Sequence, residues 1–276
     1  MGLAVVRRLV NLNYKIAVID FNDKAFSALS SELGPSVTFH KADVTSDNDL
    51  CSVFSSTLAQ YHRIDVVYDN AGIGDRINFY APAKERSDGA PEKPNVDVID
   101  ICLMGVVWCA YLSLHYFRQN STPGGKFVAI SSMCGLYPGD GIPLYTAAKH
   151  GVVGLCRAIG KSCRLRGEPI TANSICPGLV DTGLTGVLMA ASPEEYVTPH
   201  STIVRAFEMI LDDKEGKHTG LAAECSCNEV YLINHQKWSD DKAEFVMGHG
   251  LDPYLMKNGI ELMRGAKKPD TPAERS

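Results

Sequence analysis

The stretch Ile130–Gly154, ISSMCGLYPGDGIPLYTAAKHGVVG, decides how the rest of the chain is read. An apolar run, residues 126–130, delivers Ser131 and Ser132 into a loop rich in glycine and proline. Tyr145 follows, and four residues later Lys149, at the head of an apolar-periodic helix. Residues four apart on a helix are neighbours on one face. An ammonium there favours the phenolate and draws the tyrosine pKa, ordinarily about 10, toward neutrality. The Ser132 hydroxyl can then hydrogen-bond a carbonyl or alcohol oxygen that Tyr145 protonates or deprotonates. With 11 tyrosines in the chain, Tyr-x-x-x-Lys alone is also what an ordinary amphipathic pair looks like. The strand-borne serine and the helix beyond it favour the chemical reading.

Outward from this stretch, short apolar runs alternate with helical patterns. A helix begins almost at the first residue, with Leu3, Val6, Leu9, Val10 and Leu12 on one face. Strands are expected at 15–20, 37–43, 64–68, 126–131, 170–175 and 229–233. Helices are expected at 23–33, 47–61, 96–118, 143–166, 194–211 and, amphipathically, 241–263. Such alternation predicts an α/β fold, a doubly wound parallel sheet covered on both faces. Residues 75–95 hold three prolines and little periodicity and read as a surface loop. No linker or repeat divides the chain. One domain is expected over 1–265, with a disordered, charged tail at 266–276.

Composition narrows the function classes. A net charge of −5 argues against nucleic acid and against acidic lipid as partners. Nine cysteines without a C-x-x-C pair read as reduced core thiols of a cytoplasmic protein, and no metal site is expected. No run approaches the 18 or so consecutive apolar residues of a membrane span.

Nucleotide signals lie along the strands. Asp20 ends an apolar strand, where an acid can accept both hydroxyls of an adenosine ribose and repel a 2′-phosphate, favouring NAD over NADP. A strand-end cap is the other reading of Asp20. Asp43 and Val44 can bracket an adenine ring, though an aspartate before a helix is also a common cap. Asn70-Ala71-Gly72 follows a strand and is small enough for close approach of a ligand. A dinucleotide fold opens with a strand and a glycine-rich turn at a helix N-terminus. Here the helix is present, only Gly2 can belong to that turn, and the first strand is missing. Truncation of the sequence, or a variant without the phosphate site, are both open.

In this order and spacing the residues resemble the short-chain dehydrogenase/reductase family over roughly residues 2–235. The carriers are Asp20, Asp43-Val44, Asn70-Ala71-Gly72, Ser132, Tyr145-Thr146-Ala147-Ala148-Lys149 and Pro177-Gly178-Leu179-Val180-Asp181-Thr182. The pattern is most similar to the NAD-dependent 15-hydroxyprostaglandin dehydrogenase-like group. The resemblance implies a Rossmann-like single domain. It implies Tyr145 as general acid/base, Lys149 on the nicotinamide ribose, and Ser132 orienting a small-molecule substrate. It places Pro177, Gly178, Val180 and Thr182 along the nicotinamide, and implies a homodimer or homotetramer built on the two long helices. The implied activity interconverts a secondary alcohol and a ketone on a medium-sized, largely apolar molecule.

Two departures stand against the family pattern. The glycine motif is reduced to Gly2. Where the family carries Asn-Leu-x-Gly on its long helix, supporting a water relay to the lysine, this chain has Cys102-Leu103-Met104-Gly105. Cysteine is a weak hydrogen-bond substitute, so a weakened relay is expected at a buried thiol. These departures keep open a catalytically impaired binding or scaffold protein, or a non-redox isomerase.

Overall fold

Helix α1 (Gly2–Asn11) opens the fold; Leu9 is buried as its spacing predicts, Val5 is buried off the expected face, and Leu12 lies past the helix end and is exposed. The computed structural model describes residues 1–249. It continues through β1 (Ile16–Asp20), α2 (Asp23–Leu33), β2 (Val37–Lys41), α3 (Asp47–Tyr61) and β3 (Val66–Asp69). Next come a long helix α4 (Asp97–Phe117), β4 (Gly125–Ile130), α5 (Pro143–Leu165) and β5 (Ile170–Pro177). Helices α6 (Gly186–Ala191) and α7 (His200–Leu211) precede the strands β6 (Ala222–Ser226) and β7 (Glu229–Ile233). The chain divides into two compact units, Met1–Asn234 and His235–Ser276. In the second, Asp240 caps a short helix, α8 (Asp241–Glu244), by accepting the Ala243 N–H at 2.7 Å. The expected domain limit at 265, the tail from 266 and most of the predicted 241–263 helix lie outside the described residues.

The strands form two sheets. β1 and β2 pair in parallel, and β3-β4-β5-β6-β7 form a second sheet, parallel except for the β6–β7 hairpin. β1 and β3 are not hydrogen-bonded to one another. This is the division expected of a doubly wound sheet without its first strand. The two sheets still share a core. Val18 and Val37 of the first pack with Val128, Ile130 and Ile175 of the second beneath Val5 and Leu9 of α1 and Phe207 of α7. On the other face α3, α4 and α5 cover the strands, with Phe54, Val106, Phe117 and Val152 against Phe127, Ala129 and Ala172. Phe117, Phe127 and Phe207 are fully buried, and each contributes about 1.5–3 kcal/mol by leaving water. Because β5 is covered on both faces it is buried throughout and shows no alternation.

Three expectations are corrected. The predicted 194–211 helix is a 3₁₀ turn (Glu194–Tyr196) followed by α7; Pro199, at the helix N-cap, is one natural break between them. The strand β6 escaped prediction because its Ala-Ala-Glu-Cys-Ser composition carries no periodic signal. Helix α4, 21 residues long with an 18-residue window of mean hydropathy 1.8, is long and apolar enough to cross a membrane by length and composition. Counting only consecutive apolar residues overlooked it, since a span tolerates scattered polar positions. Part of this helix is committed to the core, through Val106, Ala110 and Phe117.

Candidate active site

Parallel strands bring their C-terminal ends to one side, and in open α/β sheets ligands bind there. Ser132 leaves β4 with extended backbone, φ −164°, and enters a 3₁₀ turn, Met133–Gly135. Its Oγ accepts the Cys134 N–H at 3.1 Å. Next to it, the Ser131 hydroxyl donates to the Lys149 carbonyl at 2.8 Å and ties the strand end to α5. The contact needs glycine at 135. A Cβ there would lie 2.3 Å from Ser131 Oγ and 2.7 Å from the Lys149 carbonyl oxygen.

Helix α5 begins at Pro143 without a side-chain cap from its own N-cap residue, Ile142. Asp75 supplies one from a distance, its two oxygens accepting the N–H groups of Leu144 at 3.2 Å and Tyr145 at 2.7 Å. Carboxylates satisfy orphan amides and the dipole at a helix start. Sequence reasoning left Asp75 in a surface loop, because nothing local ties it to residue 145.

One turn into α5, Lys149 is 2% exposed. Its Nζ donates to the Ile130 carbonyl at 2.8 Å and stands 5.5 Å from the centroid of the Tyr145 ring. Burial holds the Lys149 pKa below its ordinary value, with Cys102, the Asp69 carboxylate and Cys176 opposing. Burial also pushes the Tyr145 phenol above its ordinary value, while a hydrogen bond with Ser132 pulls it down. The expectation of a phenol drawn toward neutrality is thus corrected. Spacing alone counts the attraction of the ammonium and omits the loss of solvent, which acts on both groups and here dominates.

The remaining predicted residues fall into two groups. Near the triad, a Cβ on Gly72 would come within 3.6 Å of Lys149 Nζ, and a Cβ on Gly2 within 3.1 Å of Asn70 Nδ2. Asn70 Oδ1 is buried without a hydrogen-bond partner. Ala71 joins these two. Pro177 closes β5, Val180 is 2% exposed, and the Thr182 and Thr185 hydroxyls lie 3.2 Å apart. Gly178 packs so that a Cβ would stand 2.9 Å from Met133 Sδ. Away from them, Asp20 is exposed and accepts the Asn22 N–H at 2.9 Å. Asp43 is exposed and accepts from the amide and hydroxyl of Thr45 at 2.8 Å each. Ser46, not Asp43, caps α3 through the Asp49 N–H. Val44 lines a cavity of about 540 Å³ with Asp47, Asp97 and Trp108 that includes none of the triad.

Cys102 sits in a π-helical turn of α4, Asp100–Met104, and is fully buried. Its thiol both accepts the Ile73 N–H and donates to the Ile73 carbonyl, each at 3.2 Å. Such π turns often mark functional sites. The burial expected of this thiol is seen, and the Ile73 backbone takes up its sulfur as donor and acceptor. It pins the loop after β3 beside Gly72, whose Cβ position is 3.4 Å from the sulfur.

The model for the short chain dehydrogenase family matches residues 1–192. This chain is a short-chain dehydrogenase/reductase. It is 35% identical, over 90% of its length, to the short-chain dehydrogenase/reductase prx7 of Penicillium rubens, of which it covers 95%. It is 30% identical to the human NAD(+) 15-hydroxyprostaglandin dehydrogenase over 67% of this chain and 65% of that one. A solved Brucella melitensis 3-ketoacyl-(acyl-carrier-protein) reductase complexed with NADH superposes with TM-score 0.69 at 17% identity, covering 82% of this chain and 91% of the other. ElxO with NADP bound gives 0.66 at 19%, covering 81% and 92%. Membership in the family makes the chain an oxidoreductase with a Rossmann-like sheet.

Proposed function

We propose that the protein interconverts a secondary alcohol and a ketone on a medium-sized, largely apolar molecule, using NAD. The observation that carries this reading is the convergence of Ser132, Tyr145 and Lys149 at the ends of β4 and α5. The residues present fit such a dinucleotide. Asn70 Oδ1 is a buried acceptor in need of a donor, Asp20 offers an exposed carboxylate for ribose hydroxyls, and Lys149 presents a buried ammonium. When bound, the nicotinamide supplies the hydride chemistry. Tyr145 exchanges the proton of the substrate oxygen, Ser132 holds that oxygen by a hydrogen bond, and Lys149 balances charge beneath the phenol. The carboxylate of Asp20 favours NAD over NADP by repelling a 2′-phosphate. Purified protein turns over NAD(H) with a secondary alcohol or ketone, and Tyr145→Phe abolishes it. Undiminished turnover in that variant rejects the role given to the tyrosine.

A homodimer or homotetramer built on α4 and α5 goes with this reading, and α4 leaves Met104 and Tyr111 54% and 64% exposed. Ultracentrifugation reads the resulting assembly, and Tyr111→Glu disperses it. A second reading, a binding protein without turnover, is favoured by the division of the sheet between β1 and β3. Calorimetry with NADH separates the two: micromolar binding supports the enzyme, and no heat supports the silent protein.

A further inference from the structure

Strand β3 ends in a charged residue, Asp69. Alternation along the strand sends Val66 and Tyr68 into the core under α1 and α7, and Val67 into the core under α4 and α5. Asp69 shares the parity of Val67. In register it lies opposite Ala129, which is fully buried in that same core. One residue beyond Ala129, the Ile130 carbonyl accepts the Lys149 ammonium. Gly72, three residues beyond Asp69, approaches the same nitrogen. The carboxylate and the ammonium lie toward the same end of one sheet face.

Asp69 is partly exposed as a residue, yet burial of its carboxyl pushes its pKa up. A hydrogen bond with the Cys109 thiol, the Lys149 ammonium and the Ala71 amide pull it back. An amide side chain of the same shape offers one acceptor oxygen without the desolvation of a charge. The charge itself needs a counterpart, and a buried ammonium needs one equally. The groups packed around the pair do not supply it. Cys109 on α4, Cys156 on α5 and Tyr68 on β3 are pushed up by burial and stay neutral. Cys176 on β5 is pushed up to about 11, the Tyr145 phenol keeps its proton, and the Cys102 thiol donates to Ile73.

We propose that Asp69 is the buried counter-charge of Lys149, a positioning residue that keeps the ammonium protonated without touching substrate or cofactor. The proposal rests on the reading of Lys149 as the partner of Tyr145. The test follows the ¹⁵N shift of Lys149 Nζ with pH in lysine-labelled protein without cofactor, the signal assigned by its loss in Lys149→Met. Asp69→Asn is isosteric, removes the charge and keeps one acceptor oxygen. In it the Lys149 midpoint falls by about one pH unit, a tenfold loss of proton affinity, and the alkaline limit of NADH binding moves down with it. An unchanged or raised midpoint overturns the proposal. Should Asp69→Asn fail to fold, the reciprocal measurement decides: the Asp69 carboxyl ¹³C midpoint rises in Lys149→Met by a similar amount, and equal midpoints in the two proteins reject it. Both titrations are readable whether or not an alcohol is turned over. Absence of NAD turnover therefore rejects the functional reading without settling the Asp69–Lys149 pair.

Discussion

The carboxylate of Asp75 accepts the backbone N–H of Tyr145 at 2.7 Å across 70 residues of sequence. A loop that looks unstructured in the sequence thereby sets the start of the helix that carries Tyr145 and Lys149. Asp75→Ala removes the cap and lowers stability by about 1 kcal/mol, the usual worth of such a cap, read by urea denaturation. It also lowers kcat, because Tyr145 sits in the turn that frays. Asp75→Asn, which still offers one acceptor oxygen, recovers most of both. A kcat untouched by Asp75→Ala counts against the link between cap and tyrosine.

Gly135 is a place where a single methyl group reports on the packing of the site. Gly135→Ala forces apart Ser131 and the Lys149 carbonyl and lowers stability by about 1–3 kcal/mol, as overpacking does. Thermal unfolding checks the stability, and turnover falls with it because Ser132 is displaced. A variant as stable and active as the parent contradicts the contact.

Cys102 tests whether a thiol can pin the loop after β3. Cys102→Ser keeps a donor and an acceptor and retains activity within a few fold. Cys102→Ala leaves the Ile73 groups unpaired at a cost of about 1–3 kcal/mol and lowers kcat further than the serine variant. Equal effects of the two substitutions argue for a packing role alone.

Asp20 governs the choice of dinucleotide under the proposed function. Asp20→Asn removes the repulsion toward a 2′-phosphate, and the ratio of kcat/KM for NAD to that for NADP falls by about tenfold, the scale of one lost charge interaction. Steady-state kinetics with both cofactors measures it. An unaltered ratio places the discrimination elsewhere.

Buried thiols make the fold sensitive to alkali. Burial raises the pKa of Cys156, and that of Cys176 to about 11. With folded-state pKa values above the unfolded one, the unfolded chain releases its protons first. Their contribution is fully present below about pH 9 and is lost as pH rises toward the folded values, by about 1.4 kcal/mol per unit per thiol at most. Lys149, lowered by burial, acts oppositely: its contribution is gained as pH rises from its folded pKa toward its unfolded one. Thermal midpoints measured from pH 8 to 10.5 fall, and Cys156→Ala shallows the slope. A flat profile is inconsistent with buried, protonated thiols.

Much of this was legible in the chain itself. Short apolar runs identified the strands from Ile16 to Pro177, and the period of 3.6 the helices between them, because both are written in consecutive residues. Ser132, Tyr145 and Lys149 were legible because one strand, one turn and one helix connect them. The missing first strand was legible from the elements before β1, whereas the division into two sheets came from the structure. What sequence could not supply were the contacts made across the fold. The cap from Asp75 and the two bonds of Cys102 to Ile73 join residues with no fixed spacing between them. The direction of the Tyr145 pKa shift also belonged to the tertiary structure, since it is set by how much solvent the packed helices exclude, and no reading of neighbours along the chain contains that quantity.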